Sequence, residues 1–421
     1  MPEPRVVAPD DARGERGARR AEASAGDIRV CIAVNGYPPR FAGHGIQIQR
    51  NLPALRARGI VPTILTERVD GEPEPPRADG AAVRRDLSPG FGWRGTLARI
   101  LQFRRHFRAH RDDYDLVHAA MVGWEFLLNL PYLRKLGLPV VYEMVSLGAD
   151  DPVALSQMRL GDFKLRRVQR NVDFWIGLTG VFRARVAAAG IPEDRFRVVY
   201  GGVDVDRFRA ARGERRRELR ARLGLPPEAR IAISAGALVP RKGMDRVVKA
   251  WARTHPEPER DLLLIIGPAR AEDVDATWNP QHADEVERLS RAKGVDGTVR
   301  IVGRVDNLDD YMSAADLFLF LSHREGLGYV TLEAMACELA CVVSPLDGIA
   351  EELISEGRTG FIAREPDDPG SVAAIVSRLL EDASLRRRIG AQARRAVVER
   401  FTHGVRADAL KAVYRDVLNR R

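Results

Sequence analysis

The chain has 421 residues, of which 45% are hydrophobic and 30% charged, and its formal net charge is +9. That is enough apolar material for two ordinary cores, and no apolar run nears the roughly 18 residues of a membrane span. Three unevenly spaced cysteines, Cys31, Cys337 and Cys341, exclude a disulfide framework, and with no histidine beside the last two they read as core thiols rather than zinc ligands.

Residues 1–26 mix Arg, Asp, Glu, Ala and Pro with few large apolar side chains, so a disordered tail without a signal sequence is expected. Ile28–Val34 reads as the first buried strand. It runs into the turn Asn35-Gly36-Tyr37-Pro38-Pro39, a glycine-containing loop Gly43-His44-Gly45, and a helix through Leu52 and Leu55 to Gly59. Further strands are expected at Val61–Leu65, Leu116–Val117, Val140–Tyr142, Phe174–Leu178 and Arg197–Tyr200. Gly201 and Gly202 break the pattern, and residues 203–228 read as a polar linker with a short helix. A second set follows at Ile231–Ser234, Leu262–Ile266, Val299–Val302, Leu317–Leu321, Cys341–Ser344 and Gly360–Ile362, and Val405–Leu418 has helical periodicity. Strands alternating with helices make a parallel α/β sheet. Two such sets predict two doubly wound domains with a cleft between them.

The sharpest motif lies at the end of a predicted strand, from Ser322-His323-Arg324-Glu325-Gly326-Leu327-Gly328 into a helix beginning near Tyr329 or Val330. Ligands of open α/β sheets bind beyond the carboxyl ends of strands, and a helix opening there points free N–H groups and a positive dipole end at the crevice, a seat for phosphate. Glu325 in the loop and Glu333 in the helix could each accept hydrogen bonds from sugar hydroxyls. Spacing alone favours the plainer reading, in which Glu325 caps the helix and Glu333 faces solvent.

With its surroundings, this run resembles the retaining family 4 glycosyltransferases (glycosyl transferases group 1), which have the GT-B fold. The mark is two glutamates separated by seven residues, Glu325 and Glu333. The agreement extends through Val302-Gly303-Arg304-Val305, Ala314-Ala315-Asp316, Glu333-Ala334-Met335-Ala336-Cys337, Asp347-Gly348-Ile349, Glu352 and Gly360. Looser similarity covers residues 28 to about 400. The resemblance implies two Rossmann-like domains facing across a cleft and transfer of a sugar from a nucleoside-diphosphate sugar to an acceptor hydroxyl. It implies that Glu325 contacts donor-sugar hydroxyls, that Glu333 holds the ribose, and that amides of Leu327, Gly328, Tyr329, Val330 and Thr331 meet the sugar and diphosphate beside Gly326. The expected division is a tail over 1–26, an acceptor-side domain over 27–200, a sugar-nucleotide domain over 201–400, and a last helix over 401–421 returning to the first domain.

A second site follows the first strand of the second set: Ser234-Ala235-Gly236-Ala237-Leu238-Val239-Pro240-Arg241-Lys242-Gly243. A glycine turn with a cation at its end suits a diphosphate whose charge grows as the glycosidic bond breaks. The family places Arg directly after Gly236 and Lys before the last glycine. Lys242 matches and is expected to be catalytic, while Ala237 stands in place of the Arg. Arg241 is the candidate substitute, or else a solvated loop charge. The family also carries a histidine at the end of the strand Asp115-Leu116-Val117-His118, implying that His118 faces the donor sugar. The loop Gly43-His44-Gly45 resembles its acceptor-side loop.

Leu97, Ile100, Leu101, Phe103 and Phe107 interleave with Arg99, Arg104, Arg105, Arg108 and Arg111, near Trp93. This basic amphipathic pattern fits either a core-facing stripe with solvated arginines or, over 97–111, contact with an anionic membrane. The +9 charge favours anionic ligands, but no basic stretch with interleaved aromatics marks a nucleic-acid module, and no nucleic-acid partner is expected. Asp204 and Asp206 have metal-binding spacing at a linker rather than a site, so no metal and no cofactor are expected beyond the sugar nucleotide as substrate. The acceptor is a glycan, a lipid-linked or a small-molecule hydroxyl in bacterial envelope or exopolysaccharide assembly, at a cytoplasmic or inner-membrane-surface location. Two alternatives stand beside this reading: another GT-B enzyme, such as an epimerase or phosphorylase, or a catalytically weak sugar-nucleotide-binding protein.

Overall fold

The computed structural model describes residues 26–39, 43–69, 77–78, 80–89, 92–120, 123–269 and 281–420. The expected tail therefore lies outside the described residues except for Gly26. The chain divides into two compact units. The first holds the described residues up to Gly177, together with Arg185–Val199 and Ala407 onward, and the second holds Leu178–Ala184 and Tyr200–Arg406.

The first unit is built on an eight-stranded sheet: β1 (Ile28–Val34), β2 (Ile60–Glu67), β3 (Arg77–Ala78), β4 (Ala81–Leu87), β5 (Leu116–Ala120), β6 (Val140–Met144), β7 (Phe174–Gly177) and β8 (Phe196–Val198). Their order is β3-β4-β2-β1-β5-β6-β7-β8, parallel except for the antiparallel β3–β4 pair. From β1 the chain winds outward first through β2 to β4, then from β5 to β8 on the other side, so the topological switch falls between β1 and β5. Strands buried along their whole length, such as Val140–Met144, where Glu143 is the one charged residue, are what a sheet covered on both faces requires.

β3 and β4 are additional to the expected strands. β4 reads Ala-Ala-Val-Arg-Arg-Asp-Leu, alternating buried and part-buried positions, with a charged residue at one inward position. Arg85 is buried there because its guanidinium reaches the carbonyls of Pro38 and Glu67. Such a strand has β alternation without hydrophobic composition, which is why an apolar-run reading passes over it. The last helix, His403–Asn419, sends Ala407, Leu410, Val413, Tyr414 and Val417 into the core of this unit against β1 and β2 side chains. Each fully buried Leu or Val contributes about 1.5–3 kcal/mol of transfer free energy.

The second unit has a six-stranded, all-parallel sheet: β9 (Arg230–Ala235), β10 (Asp261–Ile266), β11 (Val299–Gly303), β12 (Leu317–Phe320), β13 (Ala340–Val343) and β14 (Phe361–Ile362), in the order β11-β10-β9-β12-β13-β14. Its switch falls between β9 and β12. Helices Met244–Arg253 and Pro369–Glu381 supply Val247, Val248, Trp251, Val372, Val376 and Leu379 to the core on one side of this sheet. The molecule is thus two Rossmann-like α/β units, as expected for the GT-B class. All three cysteines are free and buried. Burial pushes the Cys337 thiol up to about 12 and holds those of Cys31 and Cys341 high as well.

Candidate functional site

The switch point of the second unit sets two loops side by side, one leaving β9 and one leaving β12. The β9 loop passes Gly236 and Ala237, buries Leu238, and tightens into a 3-10 turn over Pro240–Lys242. It ends at Gly243, whose φ of 67° lies in the left-handed region. A Cβ at Gly243 would also collide with the Leu321 carbonyl, so only glycine allows this loop to lie against the end of β12. The contact is sealed by polar groups: His323 N–H donates to the Arg241 carbonyl at 2.9 Å, and the Ser322 hydroxyl donates to the same oxygen at 3.0 Å.

That docking carries two cations to one carboxylate. Lys242 Nζ lies 2.7 Å from Glu325 Oε1 and an Arg241 guanidinium nitrogen 3.1 Å from it, while the Ser322 hydroxyl approaches the same oxygen at 2.7 Å. Arg241 also donates to the Arg324 carbonyl at 2.6 Å. The Lys242 ammonium sits 5.3 Å from the Phe320 ring centroid, a cation–π distance. With Arg324 exposed nearby, positive charge exceeds negative in this loop pair. Such a surplus, beside backbone amides, is a place for an anion.

Gly326, Leu327 and Gly328 complete the β12 loop, and Gly328 (φ 81°) leads into the helix Tyr329–Ala336. Tyr329 and Val330 form its part-exposed first turn. Thr331 is buried, and its hydroxyl has no hydrogen-bond partner among the described residues. Glu333 is only 5% exposed, so the solvent-facing alternative for this side chain does not hold. Nor does Glu325 cap the helix: the contacts of its side chain run to Lys242, Arg241 and Ser322. Arg241 reaches forward onto the Glu325 loop, at the far side of Pro240 from Ala237.

In the first unit the expected loop Gly43-His44-Gly45 is instead the first turn of a helix, Gly43–Arg56. The physical reason is close approach: the Gly36 carbonyl occupies the space of a Gly45 side chain, which lets the helix begin directly against the end of β1. His118 is on β5 and 2% exposed. Its Nδ1 lies 2.6 Å from the Tyr414 hydroxyl and its Nε2 3.0 Å from a Glu143 carboxylate oxygen, so both ring nitrogens are engaged inside the unit. His44 Nε2 lies 3.6 Å from that same oxygen, and neither nitrogen of His44 has a hydrogen-bond partner among the described residues. Asp150, nearby in charge, has its carboxyl raised by burial to about 6, even though Val145 and Ser146 N–H groups donate to it.

Ser322, Glu143, Tyr414 and Glu352 are polar groups that motif reading did not assign. Glu352 accepts from the Gly180 and Val181 amides and from the Tyr200 hydroxyl, an anion at the start of the helix Val181–Ala188. The arginines of the 97–111 segment are not uniformly solvated either. Arg99 is buried, 3.0 Å from Glu67 and 2.5 Å from Glu125, because Phe103 and Phe107 turn that side of the helix Gly92–Ala109 into the core.

Residues 215–396 match the family model of glycosyl transferases group 1, and residues 42–202 match a glycosyl transferase 4-like domain. D-inositol 3-phosphate glycosyltransferase 2 of Catenulispora acidiphila is 30% identical over 294 residues, 64% of this chain, and the match spans 63% of that protein, under two thirds of its length. D-inositol 3-phosphate glycosyltransferase of Kineococcus radiotolerans is 28% identical over 398 residues, 86% of this chain and 87% of the relative. Among solved structures, Anabaena HepE in complex with UDP and glucose has a TM-score of 0.75 at 18% identity, covering 92% of this chain and 100% of that one. With a cation-rich loop pair at the switch point of one Rossmann-like unit and family matches over both units, the chain belongs to the group 1 glycosyltransferases, family 4 enzymes of the GT-B fold.

Proposed function

We propose that this glycosyltransferase takes its sugar from a nucleoside-diphosphate sugar and passes it, with retention at the anomeric carbon, to an acceptor hydroxyl. The observation that carries the reading is the convergence of Lys242 and Arg241 on Glu325 at the carboxyl ends of β9 and β12. In the reaction the bond from the anomeric carbon to the leaving phosphate oxygen breaks. The acceptor oxygen bonds the same face of that carbon, and its proton passes to the departing diphosphate. Lys242, Arg241 and the amides from Leu327 to Thr331 offset the growing phosphate charge, and Glu325 turns to the sugar hydroxyls. Glu333 holds the ribose. His118 acts by positioning Glu143 beside His44, and the segment Gly43-His44-Gly45 serves the acceptor. Protein cations take the role a metal has elsewhere, so added magnesium or manganese is expected to leave turnover unchanged.

The UDP and glucose of Anabaena HepE support a uridine nucleotide as the first donor to try. The relatives named as inositol phosphate glycosyltransferases, with the +9 charge, make a phosphorylated polyol the first acceptor. Envelope or exopolysaccharide assembly suits both. No helix among the described residues is long and apolar enough to cross a membrane. Contact with an anionic membrane surface is supported by the outer side of the helix Gly92–Ala109. There Trp93 (73% exposed), Leu97 and Leu101 stand one turn apart beside exposed Arg94, Arg104, Arg105 and Arg108. Exposed Met158, Leu160 and Phe163 lie in the same unit, near the helix Gly161–Asn171.

Turnover on a panel of nucleoside-diphosphate sugars, with the product's anomeric configuration read by NMR, tests the reaction. An inverted product ends the retaining scheme. Because Ala237 replaces the family's arginine, a second reading remains: a donor-binding protein with little turnover. It predicts calorimetric donor binding and no product across the acceptor panel.

A further inference from the structure

We propose that Asp86, His106 and His110 form a site for a divalent transition-metal ion of the zinc type, on the first unit and separate from the transfer chemistry. Asp86 lies near the end of β4, His106 in the last turn of the helix Gly92–Ala109, and His110 one turn further along. One ligand atom from each lies within 4.8 Å of the others. Two histidines spaced i, i+4 present both rings to one side of a helical turn; here the ring centroids are 5.0 Å apart. Around a tetrahedral zinc with bonds of about 2.0–2.2 Å the ligand atoms close to a little over 3 Å, a movement within the reach of side-chain rotation.

The outer contacts decide which nitrogens would bind. His110 Nδ1 lies 2.9 Å from Asp113 Oδ2, which leaves its Nε2. His106 Nε2 lies 3.0 Å from the Tyr114 hydroxyl, which leaves its Nδ1, now 2.6 Å from Asp86 Oδ2. A carboxylate or hydroxyl on the far nitrogen is the arrangement that orients a ligating imidazole. On binding, the ion takes the place of the proton between His106 Nδ1 and Asp86, and the imidazole, still neutral, carries its single proton on Nε2 toward the Tyr114 hydroxyl oxygen. His106 is fully buried while the Asp86 side chain is 41% exposed, so the ion has an entry side and a coordination position open to water. Two imidazoles and one carboxylate favour zinc, cobalt or nickel over magnesium or calcium. Arg84, two residues before Asp86, acts electrostatically on both Asp86 and His106 and competes with the ion. A bound ion would fasten the end of β4 to the end of the helix that presents Trp93, Leu97 and Leu101.

The test uses the full chain, stripped with chelator and titrated with Co²⁺ and then Zn²⁺. Expected are one ion per chain at micromolar concentration or below, a visible Co²⁺ band of four- or five-coordinate intensity that Zn²⁺ bleaches, and a rise in Tm that magnesium does not reproduce. His110→Ala, at the helix end, should weaken binding at least tenfold with an unchanged circular dichroism spectrum. Asp113→Ala should weaken it by about 10–100-fold, and Arg84→Ala should tighten it severalfold. No binding below millimolar ion, or a Co²⁺ spectrum identical in the His110→Ala protein, overturns the site.

Discussion

The two units carry polar clusters close to their switch-point strands and treat them in opposite ways. In the second unit, two cations share one oxygen of Glu325, leaving a surplus of positive charge in loops within reach of solvent. In the first, His118, Glu143 and Tyr414 close on one another in the interior. A buried polar group must find its partners within the protein, since an unsatisfied one costs about 1–3 kcal/mol. A cluster meant for a charged ligand must instead keep some bonding capacity unspent. The same position in two similar sheets therefore yields a closed network in one and an open one in the other. The unspent groups of the first unit are displaced to its neighbour His44.

The largest expected effect is at Glu325. Glu325→Gln should keep the fold and lower turnover on the true donor by about 100-fold, the scale of losing one preorganised electrostatic contact to the transition state. Near-normal turnover would remove this carboxylate from the chemistry and, with it, the contrast between the clusters. Next is Lys242→Ala, expected to weaken calorimetric binding of the free nucleoside diphosphate by about 1.5–3 kcal/mol. Arg241→Ala should add a smaller loss of turnover that Ala237→Arg partly restores. If Arg241→Ala is silent and Ala237→Arg alone raises activity, the second cation is only a loop charge.

Asp150 sharpens the comparison from the buried side. Its carboxyl is raised to about 6 by burial, above its unfolded value, so the stability tied to its neutral form is present below about pH 4 and is lost as pH rises through 6. Unfolding free energies of the wild type and Asp150→Asn, measured by denaturant titration from pH 4 to 7, should shift in favour of the variant by on the order of 2 kcal/mol. A difference independent of pH would show that Asp150 does not titrate in this range. The smallest effect is expected from Tyr414→Phe, which removes the hydroxyl beside His118 Nδ1. It should cost about 1 kcal/mol of stability and leave nucleotide affinity unchanged. A loss of affinity would mean that the closed cluster is tied to the open one.

Much of the second site could be read from the chain. β9, β10 and β12 are runs of Ile, Leu, Ala and Phe, and the glycines that follow β9 and β12 mark where the backbone turns. What sequence could not supply was which side chains the turns bring together. Ser322 and Arg241 meet across 81 residues, through a backbone carbonyl that no motif encodes. β4 escaped because its inward Arg85 is satisfied by carbonyls from distant segments. The first turn at Gly43 looked like a loop because glycine is a poor helix former, a preference that the packing of Gly45 on Gly36 overrides. Arg99 looked solvated because its partners, Glu67 and Glu125, lie on other elements.

The three cysteines have a practical consequence. Only a thiolate reacts readily with maleimides or methanethiosulfonates, and Cys31, Cys337 and Cys341 are buried with their thiols held in the neutral form. The native chain is therefore a quiet background for labelling. A cysteine placed at Leu101 or Phe163, both exposed, would be the one fast-reacting thiol. A nitroxide or environment-sensitive fluorophore attached there would report directly whether that surface enters a lipid bilayer.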